Sequence, residues 1–147
     1  MKMKLLPLFL IVVMVFSATQ PIYAEADDSE ITGPNYNPLQ DIIINAGTCI
    51  QLHAKLLALR WWDIGGSGLI WLNQPLLYLN FYVYKANANG TNGDLVWSEG
   101  AYTSYFNCIA SPNELVLNER GNYNLLVTYK GGWSIKPCNA TAKIKVV

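Results

Sequence analysis

The stretch Gly121–Gly131, "GNYNLLVTYKG", places Tyr123, Leu125, Val127 and Tyr129 on one parity and Asn122, Asn124 and Thr128 on the other. Period two over such a run predicts a strand with one face buried and one solvated. Glycine punctuates both ends, as Gly121 before Asn-Tyr and as Gly131-Gly132 after Lys130. The same alternation continues downstream, where "TAKIKVV" (141–147) turns Ala142, Ile144 and Val146 inward and Lys143 and Lys145 outward. Upstream, "SPNELVLNER" (111–120) brings Leu115 and Leu117 beneath the corner that Gly121 opens.

Further upstream, "TCIQLHAKLLAL" (48–59) sets Ile50, Leu52, Ala54 and Leu56 on one face against Gln51, His53 and Lys55 on the other. "PLLYLNFYVYK" (75–85) is a second strand, with Leu77, Leu79, Phe81 and Val83 inward and Tyr78, Asn80, Tyr82 and Tyr84 outward. Between them, "RWWDIGGSGLIWLNQ" (60–74) loses the alternation at its glycines and predicts a long connection, its Trp61, Trp62 and Trp71 capping one end of a core. "ANANGTNGD" (86–94) is a loop by composition, since Asn, Gly and Asp accept positive φ. "LVWS" (95–98) and "AYTSYFNCIA" (101–110) predict two more strands, and 41–45 a short early one. No segment carries a helical period. Seven or eight short strands separated by regular turn signals predict an all-β antiparallel sandwich.

The ends of the chain speak to compartment. "MKMKLLPLFLIVVMVFSATQPIYA" (1–24) has Lys2 and Lys4 before an apolar run and a small residue at its exit, the pattern of a secretory signal peptide cleaved after Ala24. The apolar run falls short of the ~20 residues that a membrane span needs, so no span is expected after cleavage. Residues 25–39 are acidic and then proline-containing, without a period, and predict an extended arm; the domain proper is expected over 40–147. Cleavage leaves eight basic against ten acidic residues, a net charge of −2. That balance argues against nucleic acid, whose affinity rests on clustered Lys and Arg.

Gly121 and Tyr123 suggest more than a strand. In immunoglobulin-like sandwiches a tyrosine near the start of the penultimate strand turns its hydroxyl back to the backbone of the preceding corner. With the "PLLYLNFYVYK" strand, the Asn/Gly-rich hairpin after it and the later Gly-x-Tyr strand, residues 40–147 resemble the Ig-like domains of prokaryotic secreted and surface proteins of the adhesin or invasin type. The resemblance implies an Ig-like antiparallel sandwich with Gly121 and Tyr123 as its tyrosine corner. The cysteine pair of antibody domains is missing, because the strand of Tyr123 contains no cysteine. The Ig-like strand order does bring the start of one strand, Cys49, to the end of another, Cys108. It implies a Cys49–Cys108 disulfide in an exported chain, with Cys138 left over.

Catalytic patterns are lacking. His53 sits on a polar strand face with neither a placed nucleophile nor partner ligands, and CxxC, HExxH, phosphate-loop and GxSxG motifs are absent. Asn87, Asn89, Asn92 and Asp94 supply oxygens but one carboxylate, too little charge for a firm calcium site, so no cofactor or metal is expected. Asn89-Gly90-Thr91 and Asn139-Ala140-Thr141 are glycosylation sequons. The tyrosine row Tyr78, Tyr82 and Tyr84, with Asn80 among it, suits sugar rings or a protein partner. The expected function is a secreted, non-catalytic binding or structural module at a cell surface, taking a protein or glycan. The alternatives are a self-assembling filament or surface-layer subunit whose arm adds a strand beside Lys143 and Lys145 of the next copy, and a secreted inhibitor or carbohydrate-binding module.

Overall fold

The computed structural model describes residues 26–62 and 68–147. The expected signal peptide lies outside these residues, as do the side chains of Trp61 and Trp62. The described chain is all-β. Its strands are β1 (Ser29–Thr32), β2 (Ile42–Ile44), β3 (Cys49–Ile50), β4 (Ala54–Trp62), β5 (Gly68–Asn73), β6 (Tyr78–Ala86), β7 (Asn92–Tyr102), β8 (Ile109–Ala110), β9 (Leu115–Val116), β10 (Gly121–Tyr129) and β11 (Cys138–Val146).

Two larger sheets form. One has the order β2-β11-β10-β6-β7, antiparallel except where β2 runs parallel to β11 through Ile42↔Ile144. The other centres on β4, with β1 along one edge and with β5 and β8 following each other along the opposite edge. A short β3–β9 pair joins Cys49↔Val116 and Ile50↔Leu115. One apolar cluster draws on both larger sheets: Ile31, Ala54, Leu56 and Ala58 from the β4 sheet meet Leu79, Phe81, Val83, Leu125, Val127 and Ile144 from the other. These are the inward parities of the alternating strands. Burying them supplies the main favourable term, at about 25 cal/mol per Å² of apolar surface.

The structure departs from the sequence reading at several places. Within the stretch read as an extended arm, Ser29–Thr32 pairs with Ala58–Lys55 of its own chain, and Ile31 enters the core. The edge of β11 expected to receive the arm of a neighbour is occupied by β2. The connection predicted over 60–74 is largely strand, because β4 runs on to Trp62 and β5 returns beside it, Leu59 opposite Trp71. Trp71 is exposed there rather than capping a core. β7 runs through the break predicted at Glu99-Gly100, paired with β6 from Tyr78↔Tyr102 to Val83↔Trp97, whereas the strand predicted over 101–110 leaves β7 after Tyr102, turns, and returns to strand only at β8. Lys55 is buried instead of solvated, its ammonium 4.1 Å from the centre of the Tyr36 ring.

The predicted Cys49–Cys108 bond is not formed, and all three cysteines are free thiols. The reason is register. β8 pairs with the start of β4 through Ala54↔Ala110 and Lys55↔Ile109, so Cys108 continues toward Leu56, away from Cys49. Cys49 instead lies on β3, opposite Val116 of β9 in a separate pair, so the two thiols are held by different strands rather than at the ~4.4–6.8 Å Cα separation that a disulfide needs.

Candidate functional site

The outer face of the five-stranded sheet follows from the parity of β6. Leu79, Phe81 and Val83 are inward and fully buried, which leaves Tyr78, Asn80, Tyr82 and Tyr84 on the other side. Pairing with β7 sets Tyr78 opposite Tyr102, Asn80 opposite Gly100 and Tyr82 opposite Ser98. Pairing with β10 sets Tyr84 opposite Asn124, Tyr82 opposite Leu126 and Asn80 opposite Thr128. Aromatic, hydroxyl and amide groups dominate the middle of this face, with Leu95 and Leu126 among them and Lys143, Lys145 and Asp41 toward one rim.

At one end of the face, the Tyr78 ring lies across Gly100. A Cβ added to Gly100 would meet the Tyr78 hydroxyl at 2.0 Å and its ring carbons from 2.2 Å. Glycine is therefore what lets the ring settle on β7. Tyr102 stands against that ring in an edge-on arrangement, centroids 4.8 Å apart and planes at 63°. The two tyrosines form an exposed aromatic corner, Tyr78 44% and Tyr102 66% accessible. In the middle of the face, the Tyr82 and Tyr84 rings stack 6.3 Å apart, and both are half-buried.

At the other end, the β6–β7 connection closes over the sheet. Asn87 N–H donates to the Thr91 carbonyl and Gly90 N–H to that of Asn87, both at 2.9 Å. The Asn124 amide reaches across from β10, donating to the Gly90 carbonyl (3.0 Å) and to Asn92 Oδ1 (2.9 Å). Asp41 Oδ1 accepts from Lys143 N–H at 2.8 Å. Two cavities of about 370 and 320 Å³ share Asp41, Gly90, Asn124 and Lys143 as lining. Two of the loop oxygens weighed for calcium are already engaged: Asn89 Oδ1 accepts from Thr91, and Asn92 Oδ1 from Asn124. Among the described residues no group of three or more His, Cys, Asp or Glu side chains converges as a metal site.

The remaining predicted residues lie apart from this face or at its margin. Tyr123 is buried, and its hydroxyl donates to the Glu119 carbonyl at 2.8 Å, while Gly121 adopts a φ of 148° that favours glycine. The carboxylate of Glu119 pairs with Lys85 at 2.7 Å, which holds the Glu119 carboxyl below its ordinary range and the Lys85 ammonium above its own. Asn89 is exposed in the hairpin, and Asn139 is exposed on β11 opposite Thr128. His53 Nδ1 lies 2.7 Å from Ser111 Oγ at an exposed site. Burial pushes the Cys138 thiol up, while Cys49 is exposed. A separate apolar tract, Leu69, Ile70 and Trp71 on β5, is exposed on both faces of an edge strand.

Gly100 and Tyr102 are the members of the face that sequence reasoning missed, because splitting β7 at Glu99-Gly100 concealed the β6–β7 register that sets both beside Tyr78. Asn124 was read as solvated, but its reach to the β6–β7 connection was not.

No family model and no curated protein matches the chain. Among solved structures, the chain is similar to a family 123 glycoside hydrolase from Clostridium perfringens, described in a study of glycolipid glycan hydrolysis. The TM-score is 0.42 and the identity 11%, over 81% of this chain and 27% of that one. The chain thus spans about a quarter of that protein's length.

Proposed function

We propose that the chain is a secreted, non-catalytic module with an Ig-like sandwich architecture, which binds a protein or glycan at a cell surface through the outer face of the five-stranded sheet. The observation that carries the reading is the aromatic corner of Tyr78 and Tyr102, seated on Gly100 and exposed. Tyrosine offers a broad rigid apolar surface at small entropic cost together with a polar tip, which suits both sugar rings and protein surfaces. The amide and hydroxyl groups of Asn80, Asn124 and Thr128 add neutral donors and acceptors around it. Secretion follows from the signal-like residues 1–24, and the sequons at Asn89 and Asn139 are exposed in keeping with it.

The reading is tested by saturable binding of the purified protein to intact cells that express it. Tyr78→Ala with Tyr102→Ala should weaken binding at least tenfold, a loss of about 1.4 kcal/mol or more, while thermal unfolding changes little. Unaltered binding by the double variant would place the contact elsewhere.

A further inference from the structure

We infer that β1 is an exchangeable strand: the slot along β4 that it fills within one chain accepts the β1 of a second copy. This goes beyond surface binding and does not depend on it. β1 closes the seam between the two sheets. On one side it pairs antiparallel with Lys55–Ala58. On the other, Asp27 N–H donates to the Ser134 carbonyl and Lys136 N–H to that of Asp27, both at 2.8 Å. Ile31 fills the core between, and Thr32 is buried beside it. Side chains fasten the ends: Asp27 with Arg60 at 2.5 Å, Asp28 with Lys136 at 2.9 Å, and the Ser29 hydroxyl donating to the Lys136 carbonyl at 2.5 Å. Every one of these contacts joins residues 27–32, β1 and the two residues leading into it, to the body of the fold. The β1 of another copy would remake all of them, so the occupant that fits the slot is this chain itself.

One connection, residues 33–41, ties β1 to the rest of the described chain, and it is bent against its own preference. Gly33 N–H donates to the Asn37 carbonyl at 2.7 Å and Tyr36 N–H to that of Gly33 at 3.1 Å. Tyr36 sits at φ 64°, a left-handed conformation that a bulky side chain adopts under strain. Pro34 and Pro38 bias the residues before them toward extended backbone. Opened, the connection reaches about 30 Å, the width of a small domain. The closed turn is held by a latch: Asn73 Nδ2 donates to the Tyr36 hydroxyl at 2.9 Å, and the Tyr36 ring rests on the Lys55 ammonium. A strained hinge of this kind invites exchange.

The Ser29 hydroxyl lies beside the Cys138 thiol, which supplies a reporter. Unlabelled and 15N-labelled Ser29→Cys proteins are unfolded together, refolded at high concentration, oxidised and mapped by mass spectrometry. The expected product is a covalent dimer whose 29–138 bond joins a labelled to an unlabelled peptide, and adding Tyr36→Ala raises its share several-fold. Bonds at 29–138 confined to single chains at every concentration overturn the proposal. The complete absence of a 29–138 bond overturns it as well, since β1 would then not lie beside β11.

Discussion

At the scale of single residues, Tyr123 and Cys138 show how burial sets the consequence of a polar group. The Tyr123 ring is in the core while its hydroxyl reaches the Glu119 carbonyl. Tyr123→Phe should cost about 1 kcal/mol, the low end for a lost hydrogen bond, because Glu119 is exposed and water can satisfy its carbonyl. The shift in denaturation midpoint measures it. For Cys138, burial raises the thiol pKa, so at a given pH less of it is thiolate, the form that reacts. Alkylation at pH 8 should therefore proceed several-fold faster at exposed Cys49 than at Cys138, and the gap should narrow as pH rises through the Cys138 pKa. Peptide-resolved mass spectrometry follows both thiols at once. Other residue roles left no trace in the sequence. Thr103 is fully buried, donating to the Gln74 carbonyl at 2.6 Å and accepting from Leu77 N–H at 3.0 Å, yet in the sequence it is one more Thr within a run read as a strand.

At the scale of elements, parity was legible and pairing was not. The inward residues of β6, β10 and β11 could be listed from alternation alone, because each of these strands has one buried and one open face. Neighbours along the hydrogen-bonding direction depend on turn geometry and tertiary packing, which no local pattern encodes. So β1 read as an arm, β5 as part of a connection and β7 as two strands. Gly100 is the instructive case: glycine inside a strand marks close approach of another group as readily as a break, and here the group is the Tyr78 ring. Gly100→Ala should move that ring off β7, with little loss of stability since the ring is free to swing outward. It should lower cell-surface binding about as far as Tyr78→Ala does. A normal melting temperature with binding reduced at least several-fold is the expected pair of results; undiminished binding would separate the ring's position from recognition.

At the scale of the whole molecule, the all-β class was readable from the succession of alternating segments. Cysteine connectivity was not, because it turns on the register between β4 and β8. The molecule offers two unlike surfaces, the polar aromatic face with its Tyr78–Tyr102 corner and the apolar β5 edge with Leu69, Ile70 and Trp71. The proposed function assigns contact to the first. Hydroxyl-radical footprinting of the protein bound to cells, compared with the free protein, tests that assignment most directly. The account predicts strong protection at Tyr78 and Tyr102 with Trp71 unchanged; protection of Trp71 and its β5 neighbours, with Tyr78 and Tyr102 still reactive, would contradict it.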